Sequence, residues 1–525
     1  MNYPKTIKKG ASTHKYVSPN QLTICGFYTP FEQHLTSENR WVKLSKLIPW
    51  DKIVVLYNNQ FKSAEGRPPI NGRIVIGSVI IKHMLDLSDR ETIFQIQENV
   101  FLQYFLGYSS FTNEAPFVAS LFVEIRERLS LDIMSSINDA VIAHSFENTS
   151  KIAENTLPKE NEHKQPSSTP LEMKEKDDST VTESLTLEPK TDKNITAANS
   201  GKLLMDATVA PQNITYPTDL KLLNAAREKS EAIIDKLYKK EIHGAEKVRT
   251  YRELARKDFL NAVRKKAKTG REIYKANGTQ IRYLRRNLQH ITALLLAIKE
   301  QGKKHPLKQK DIEYLQVLEL VYQQQSTMHS TRTHKIENRI VNIHQSHVRP
   351  IVRGKQGKNV EFGSKLQVSL VNGFTHLDKL SWDNFNEGQC LQTSVELYKN
   401  KYGFYPAEVL ADQIYCNREN RSWLKEKGIL LRAKPLGRPK KEALTNPVSP
   451  GERNPIEGKF GQAKVGYGLD NISAKLKTTS QSWVAAIILV LNLVNLTRLN
   501  LLHLCHQILL IVFCHIGKKN LNLSC

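Results

Sequence analysis

The sequence lacks closely spaced cysteine pairs. Its 525 residues include six cysteines, and no two of them form a CxxC arrangement. This argues against a disulfide framework and favours free thiols in a reducing compartment. The basic start, MNYPKTIKKGASTHKY, is followed by no apolar stretch, which argues against a secretory signal. We therefore expect a cytoplasmic protein.

Acidic residues are scarce relative to basic ones. The chain has 76 Lys+Arg against 52 Asp+Glu, a net charge of +24. Residues 221–360 alone hold 32 basic and 13 acidic residues, a net of 32 − 13 = +19. A concentrated positive field suits a polyanion such as DNA, because binding releases condensed counterions. The alternative is a solvated helical surface that is merely basic. A small acidic substrate is disfavoured.

Aromatic residues are absent from residues 147–200, which are rich in Ser, Thr, Glu, Lys and Pro. Such a segment cannot bury enough apolar surface to offset its ordering entropy. The composition predicts a disordered linker, with a domain boundary before Lys202.

Residues 60–130 read as a compact helical unit. Apolar residues from Ile74 to Leu85 follow one helical stripe, and Ser88 with Glu91 forms a candidate capping box for the next helix. Two helices joined by the short LSD turn are typical of a helix-turn-helix. A small helical bundle without DNA contact fits the spacing equally well.

The remainder alternates between strand and helix patterns. KLLMDATVA predicts a buried strand carrying Asp206, and residues 222–325 are helical, with Leu284, Ile291 and Ile298 on one face. An antiparallel helical hairpin is favoured there over an oligomeric heptad seam. Asn372-Gly373 between alternating runs predicts a β-hairpin. AEVLAD then predicts a strand ending at Asp412, and together these elements predict a mixed α/β layer.

Two aspartates and a glutamate are candidate metal ligands. Asp206 and Asp412 lie at the C-terminal ends of predicted strands, where open α/β sheets bind ligands, and Mg²⁺ prefers carboxylate oxygens. Arg453, Glu457 and Lys464 form an R-x3-E-x6-K pattern, which an ideal helix would present on one face. A salt-bridged exposed face would have the same pattern. Pro455 fits best near a helix start, which predicts Arg453 in the preceding loop.

The C-terminal run WVAAIILVLNLVNLTRLNLLHLCHQILLIVFCHI approaches membrane-span length, but polar residues interrupt it. A buried core helix to about residue 498 is favoured over a membrane span.

Several long and compositionally unusual motifs coincide with one known family. They are GRPPI, LSDRET, LQYF, MDATVAPQNITYPTDLKLLN, RIVNIHQSHVRPIVRGK, VEFGSK, SLVNGF, LSWD, ADQIYCNREN and EGKFGQAKVGYGL. Through them the chain resembles bacterial insertion-sequence transposases of the DDE class, from about Gly66 to Leu491. Related elements carry Tyr, Arg, Glu and Lys around the last acid, and the position expected for Tyr is Pro450 here.

The resemblance implies an α+β protein: an N-terminal helical DNA-binding domain, then a ribonuclease-H-like mixed α/β core interrupted by a basic helical insertion. The expected divisions are 1–146 (helical domain binding terminal repeats), 147–200 (linker), 201–221 (first part of the core), 222–340 (insertion), 341–498 (remainder of the core) and 499–525 (unassigned apolar tail).

The implied catalytic and metal-binding triad is Asp206, Asp412 and Glu457, holding Mg²⁺ or Mn²⁺ in a two-metal site. The expected DNA-binding residues are Arg453, Lys464, Arg349, Arg353, Lys355, Arg282, Arg285 and Arg286. We expect Mg-dependent cleavage and strand transfer at the ends of a mobile element by a homodimer or larger synaptic complex near the nucleoid, without a membrane. A catalytically inactive DNA-binding descendant and a metal-dependent nuclease are the alternatives.

Overall fold

The fold was analysed in a computed structural model of the 525-residue chain. The structure describes residues 31, 34–61, 69–156, 198–352, 360–433 and 450–521, with side chains left undescribed at 148–156, 450 and 500–521.

The N-terminal part is helical. Its described residues form these helices: α1 Arg40–Leu47, α2 Trp50–Asn58, α3 Gly72–Met84, α4 Asp89–Glu98, α5 Val100–Phe105, α6 Phe122–Arg128 and α7 Leu131–Thr156. Ser88 caps α4 as predicted, because its hydroxyl accepts a 3.1 Å hydrogen bond from the Glu91 backbone N–H. The predicted apolar stripe on α3 is wrong in one respect. Nearly every residue of α3 is buried, including Lys82 and His83, because other helices surround it.

Helix α7 extends into the predicted linker. It runs to Thr156, so the chain is still helical over the first ten residues of the segment 147–200. Residues 157–197 of that prediction lie outside the described part of the chain. The predicted boundary before Lys202 coincides with the start of the first strand.

One mixed sheet forms the centre of the C-terminal part. Its strands are β1 Lys202–Pro211, β2 Arg349–Val352, β3 Val360–Val371, β4 Phe374–Ser381, β5 Glu408–Leu410 and β6 Leu430–Arg432. β1, β3 and β4 pair antiparallel, while β5 and β6 continue parallel to β1, which gives the order β4-β3-β1-β5-β6. The short β2 pairs with the start of β3. Asn372 and Gly373, with φ of 50° and 82°, connect β3 and β4 in the predicted hairpin.

A helical insertion separates β1 from β2. Its helices are α8 Asp219–Leu237, α9 Lys240–His243, α10 Arg252–Arg264, α11 Gly270–Glu300 and α12 Gln309–Thr331. They bury their own hydrophobic cluster, in which Leu284, Ile291 and Ile298 occupy the predicted face of α11. The chain thus leaves the sheet after its first strand, folds a helical unit and returns.

The remaining helices of the C-terminal part pack against the two faces of the sheet. They are α13 Leu391–Tyr402, α14 Arg418–Glu426, α15 Pro450–Gly461 and α16 Lys477–Leu521. The segment Lys477–Leu499 of α16 is apolar and long enough to cross a membrane, but 72% of its most apolar window is buried inside the protein. This agrees with the prediction of a core helix.

Candidate active site

Asp206 and Asp412 lie at the same edge of the sheet. The pairing of β5 with β1 is limited to Lys202–Leu204, and β5 ends at Leu410. Each aspartate therefore lies two residues beyond the paired stretch of its own strand. Asp412 lies two residues after β5, whereas the predicted strand ended at Asp412 itself. Asp206 is instead the fifth residue of the ten-residue β1. The prediction that it ends a strand is wrong because β1 continues along β3 to Pro211.

Short backbone hydrogen bonds orient both carboxylates. Asp206 accepts a 2.8 Å bond from the N–H of Ala207, and Asp412 accepts a 2.7 Å bond from the N–H of Gln413 while capping a 3-10 turn. The Asp206 side chain is 18% exposed and the Asp412 side chain 54% exposed.

Helix α15 supplies the third acid. Arg432 at the end of β6 pairs with Glu452 at 2.7 Å, which ties the start of α15 to the sheet, and Ile456 is buried beneath the helix. The helix begins at Pro450 and includes Pro455. Arg453 therefore lies within α15, and the prediction that it precedes the helix is wrong. Glu457 follows one turn later.

Lys464 lies on a π-helical turn, residues Gln462–Gly466, that continues α15. The ideal-helix spacing used to predict its direction does not apply to this wider turn. Lys464 nevertheless lines the same cavity as Arg453 and Glu457.

Arg453 bridges the two aspartates. Its guanidinium nitrogens lie 3.6 Å from Asp206 Oδ2 and 3.3 Å from Asp412 Oδ1. Asp206, Asp412 and Glu457 all line one cavity of about 1050 Å³. The structure thus brings three acids from a strand, a loop and a helix to one cavity, and Arg453 lies between two of them.

Burial changes the acid strength of Asp206. It raises the pKa of this carboxyl to about 6, while the Ala207 N–H and the Arg453 guanidinium lower the pKa. Glu387 and Asp412 raise it further by charge repulsion. A nearby cation would therefore favour the ionised form of the Asp206 carboxyl group.

The three acids are chemically suited to a hard cation, but their side chains are not as close together as the ligands of a bound ion. Among the described residues, no group of three or more His, Cys, Asp or Glu side chains is close enough to hold a metal ion. The donors are nevertheless oxygen atoms, which Mg²⁺ prefers, and a cationic guanidinium already stands between two of them. The assignment of these three acids to a divalent metal stays a prediction.

Two charged residues of the cavity were missed by the sequence analysis. Lys365 on β3 and Glu387, at the start of a 3-10 turn before α13, both line the cavity. Lys365 ends the VEFGSK motif, which was a usable signal. Glu387 had no comparable signal, because nothing in its spacing connects it with Asp206.

The other predicted DNA-binding residues are spread over the molecule. Arg349 begins β2 and is held by the carbonyl of Ser346. Arg353 and Lys355 lie outside the described residues. Arg282 and Arg285 are exposed on α11 of the insertion.

Arg286 is half-buried, and it donates a 2.8 Å bond to the Thr250 carbonyl above the Tyr251 ring. Arg286 thus holds a loop in place, and its assignment to DNA binding stays a prediction.

Two family models match the chain. Residues 409–494 match a model described as transposase DDE domain, and residues 29–128 match one described as transposase domain (DUF772). These two matches indicate an insertion-sequence transposase of the DDE class. The DDE match contains Asp412 and Glu457. Together with the strand order, it supports the expected ribonuclease-H-like core.

Other likenesses are more limited. The chain is 34% identical over 88 residues to an uncharacterized protein, ORF8 in the nfe locus of Rhizobium meliloti. That alignment covers 17% of the present chain and 42% of the relative. No solved structure matches the chain.

Proposed function

We propose that this DDE family member is a metal-dependent DNA transposase that binds the ends of its mobile element, cleaves there and joins the freed ends to target DNA. The observation that carries the proposal is the Arg453 bridge between Asp206 and Asp412, in a cavity that Glu457 and Lys464 also line.

Two phosphoryl transfers follow from this proposal. In the first, a water molecule loses a proton as its oxygen bonds to phosphorus at the element end, the bond between that phosphorus and the 3′ oxygen breaks, and the 3′ oxygen takes up a proton. In the second, the resulting 3′-hydroxyl loses its proton as its oxygen bonds to a target phosphorus, and the displaced 3′ oxygen of the target takes up a proton.

Each side chain has a defined task in these steps. Asp206, Asp412 and Glu457 would hold Mg²⁺, or Mn²⁺ in its place. When bound, the metal would activate the attacking oxygen and stabilise charge on the leaving oxygen. Arg453 and Lys464 would neutralise the phosphate.

We assign DNA binding to parts of the chain outside the cavity. The basic insertion, with the exposed Arg282 and Arg285, is a candidate binding surface for flanking DNA, since cations that neutralise phosphates supply much of the affinity for DNA. The N-terminal helices are the candidate reader of the terminal repeats. Synapsis of two ends would need a homodimer or larger complex, and a protein of this kind would work at the nucleoid.

The test is a strand-transfer assay with the full-length protein, Mg²⁺ and labelled DNA that carries the inverted repeats flanking the coding region. We expect both hydrolysed and joined products from the wild type. Asp206→Asn should reduce them roughly a hundred- to a thousandfold, since a metal ligand contributes several kcal/mol to transition-state stabilisation. Asp470→Asn, at an exposed position outside the cavity, is the matched control.

Three results would contradict the proposal. Hydrolysis without joining would indicate a nuclease. Binding of the ends with equally little product from wild type and Asp206→Asn would indicate an inactive DNA-binding descendant. Equal loss of product in Asp470→Asn would mean that the effect does not come from the cavity.

A further inference from the structure

The structure divides the cations of the helical insertion into paired and unpaired ones. On α8, Lys229 and Lys236 lie 3.5 Å and 2.7 Å from the Asp311 carboxylate of α12. Arg252, at the start of α10, lies 2.8 Å from Asp235 of α8. The charges of these three cations are balanced within the insertion, where they connect its helices. They are therefore poor candidates for binding an external polyanion.

A stripe of four cations on α11 has no such partners. Its members are Arg271, Lys275, Arg282 and Arg285. They are 4, 7 and 3 residues apart, spacings that return to the same side of an α-helix. All four side chains are exposed, and among the residues that the structure describes none of the four forms an ion pair. We call this group the α11 stripe.

Helix stability does not explain the α11 stripe. Like charges three or four residues apart on a helix repel each other, and the first two and the last two members of the stripe are such pairs. Arg271 also lies in the first turn of the helix, where the macrodipole disfavours positive charge. The one acidic residue between the ends of the stripe, Glu272, is already engaged by Lys265 and by the N-terminal capping box. A face that is merely solvated gains nothing from this arrangement, which favours an anionic partner.

The α11 stripe ends halfway along the helix. Beyond it, the same spacing leads to the exposed Gln289 and Leu296 and to Glu300 at the helix end. The stripe covers 14 residues, which makes it about 21 Å long at 1.5 Å per residue. Each strand of duplex DNA carries a phosphate about every 3.4 Å along the axis, so this length faces about six phosphates of one strand. Four cations can thus each meet a different phosphate.

We propose that the α11 stripe binds the phosphate backbone of duplex DNA without regard to its sequence. This inference rests on the proposed function, which supplies DNA as the partner. It adds Arg271 and Lys275 to the candidate DNA-binding residues and leaves out the paired cations of α8. Contacts to phosphates position a duplex but carry no information about its bases. In the proposed reaction, the DNA that flanks the element and the target DNA are the two duplexes without a fixed sequence.

The test is DNA binding by the full-length protein without divalent metal, measured by fluorescence anisotropy over a series of salt concentrations. The probes are two labelled duplexes of unrelated sequence, neither of which contains the ends of the element. The triple variant Lys275→Gln/Arg282→Gln/Arg285→Gln should bind both duplexes roughly tenfold or more weakly than wild type. The slope of log affinity against log salt should become shallower by about 2 to 3, because each phosphate contact contributes about 0.9.

The triple variant Lys299→Gln/Lys304→Gln/Lys308→Gln is the matched control. It removes the same charge from exposed positions at the other end of α11 and in the loop that follows, and it should leave the slope unchanged. Thermal unfolding shows whether both variants are folded. Equal losses in the two variants would mean general charge attraction, and a loss with one duplex only would mean base reading. Either result overturns the inference but leaves the proposed function standing. A wild type that binds neither duplex would contradict the proposed function too, because strand transfer needs a target of no fixed sequence.

Two strand-transfer substrates distinguish the flanking DNA from the target. Uncut element ends with flanking DNA report on cleavage, whereas pre-cut ends without it report on joining alone. If the α11 stripe binds flanking DNA, its triple variant should cleave uncut ends more slowly but join pre-cut ends like wild type. If the stripe binds the target, joining of pre-cut ends should also fall. A variant that loses duplex binding yet performs both steps like wild type would overturn a role of the stripe in the reaction.

Discussion

Arg453 is the residue that balances Asp206 and Asp412 in this structure. It stands within 3.6 Å of both carboxylates and within the first turns of α15. Under the proposed function, a divalent metal and this guanidinium would compete for the same two oxygens. In the structure without a metal, the positive charge of Arg453 reduces the repulsion between the two carboxylates.

Replacement of Arg453 should strengthen metal binding. We expect Arg453→Gln to bind Mn²⁺ about two- to fivefold more tightly, because a partly exposed ion pair contributes up to about 1 kcal/mol. Calorimetric titration without DNA measures this directly. Arg418→Gln, at an exposed position on α14 outside the cavity, should leave the affinity unchanged. Unchanged or weaker binding in Arg453→Gln would show that the arginine does not compete with the metal.

At the level of elements, the site depends on the long pairing of β1 with β3. This pairing runs from Leu204 to Pro211 and carries Asp206 past the end of β5. Gly363 makes the far end of the pairing possible. A Cβ there would lie 2.1 Å from the Ala210 carbonyl oxygen, a distance that no relaxed structure allows.

A methyl group at Gly363 should disturb this pairing. We expect Gly363→Ala to lower the free energy of unfolding by about 1–3 kcal/mol, because the strands must separate to admit it. Urea denaturation followed by far-UV circular dichroism is the measurement. Gly458→Ala on α15 adds a methyl group in open space and should stabilise by up to about 1 kcal/mol, as expected in a helix. An equal effect at both positions would refute the steric argument.

At the level of the whole molecule, α16 joins the N-terminal helices to the catalytic sheet. Its residues Ala485, Leu489 and Leu493 pack into the N-terminal cluster. Ile487 and Leu491, on another side of the helix, pack against the sheet. The N-terminal helices and the core are thus packed around one shared helix.

The side chain of the buried Asn492, on α16, forms hydrogen bonds with residues of two other elements. Asn492 accepts a 2.7 Å bond from the Thr375 N–H and donates to the Thr375 carbonyl at 2.7 Å and to Asn138 Oδ1 at 2.8 Å. These bonds connect α16 with β4 and α7. Asn492 is fully buried, so no water replaces a lost partner.

We expect Asn492→Ala to lower the free energy of unfolding by about 1–3 kcal/mol, because it leaves buried polar groups without partners. The loss should affect tryptophan fluorescence, to which Trp41 and Trp50 of the N-terminal helices and Trp382, Trp423 and Trp483 of the C-terminal part contribute, and far-UV circular dichroism in the same transition. Thr497→Ala removes only a bond within α16, to the Val494 carbonyl, and is the control. Separate transitions for the two probes would contradict the shared-helix packing.

The sequence alone determined the local features of this protein. Ser88 caps a helix, Asn372-Gly373 closes a hairpin, and the apolar period of α11 follows one face, because each depends on residues a few positions apart. The family motifs also identified Asp206, Asp412 and Glu457 as the candidate triad. The assignment of these acids to a metal stays a prediction.

Only the tertiary structure decided what surrounds those acids. The length of β1 depends on its pairing with β3, and the π turn at Lys464 departs from the ideal helix on which the spacing argument relied. Lys365 and Glu387 reach the cavity because β3 and the segment before α13 meet at one sheet edge. Distances between segments far apart in sequence are set by packing, and neither periodicity nor composition contains them.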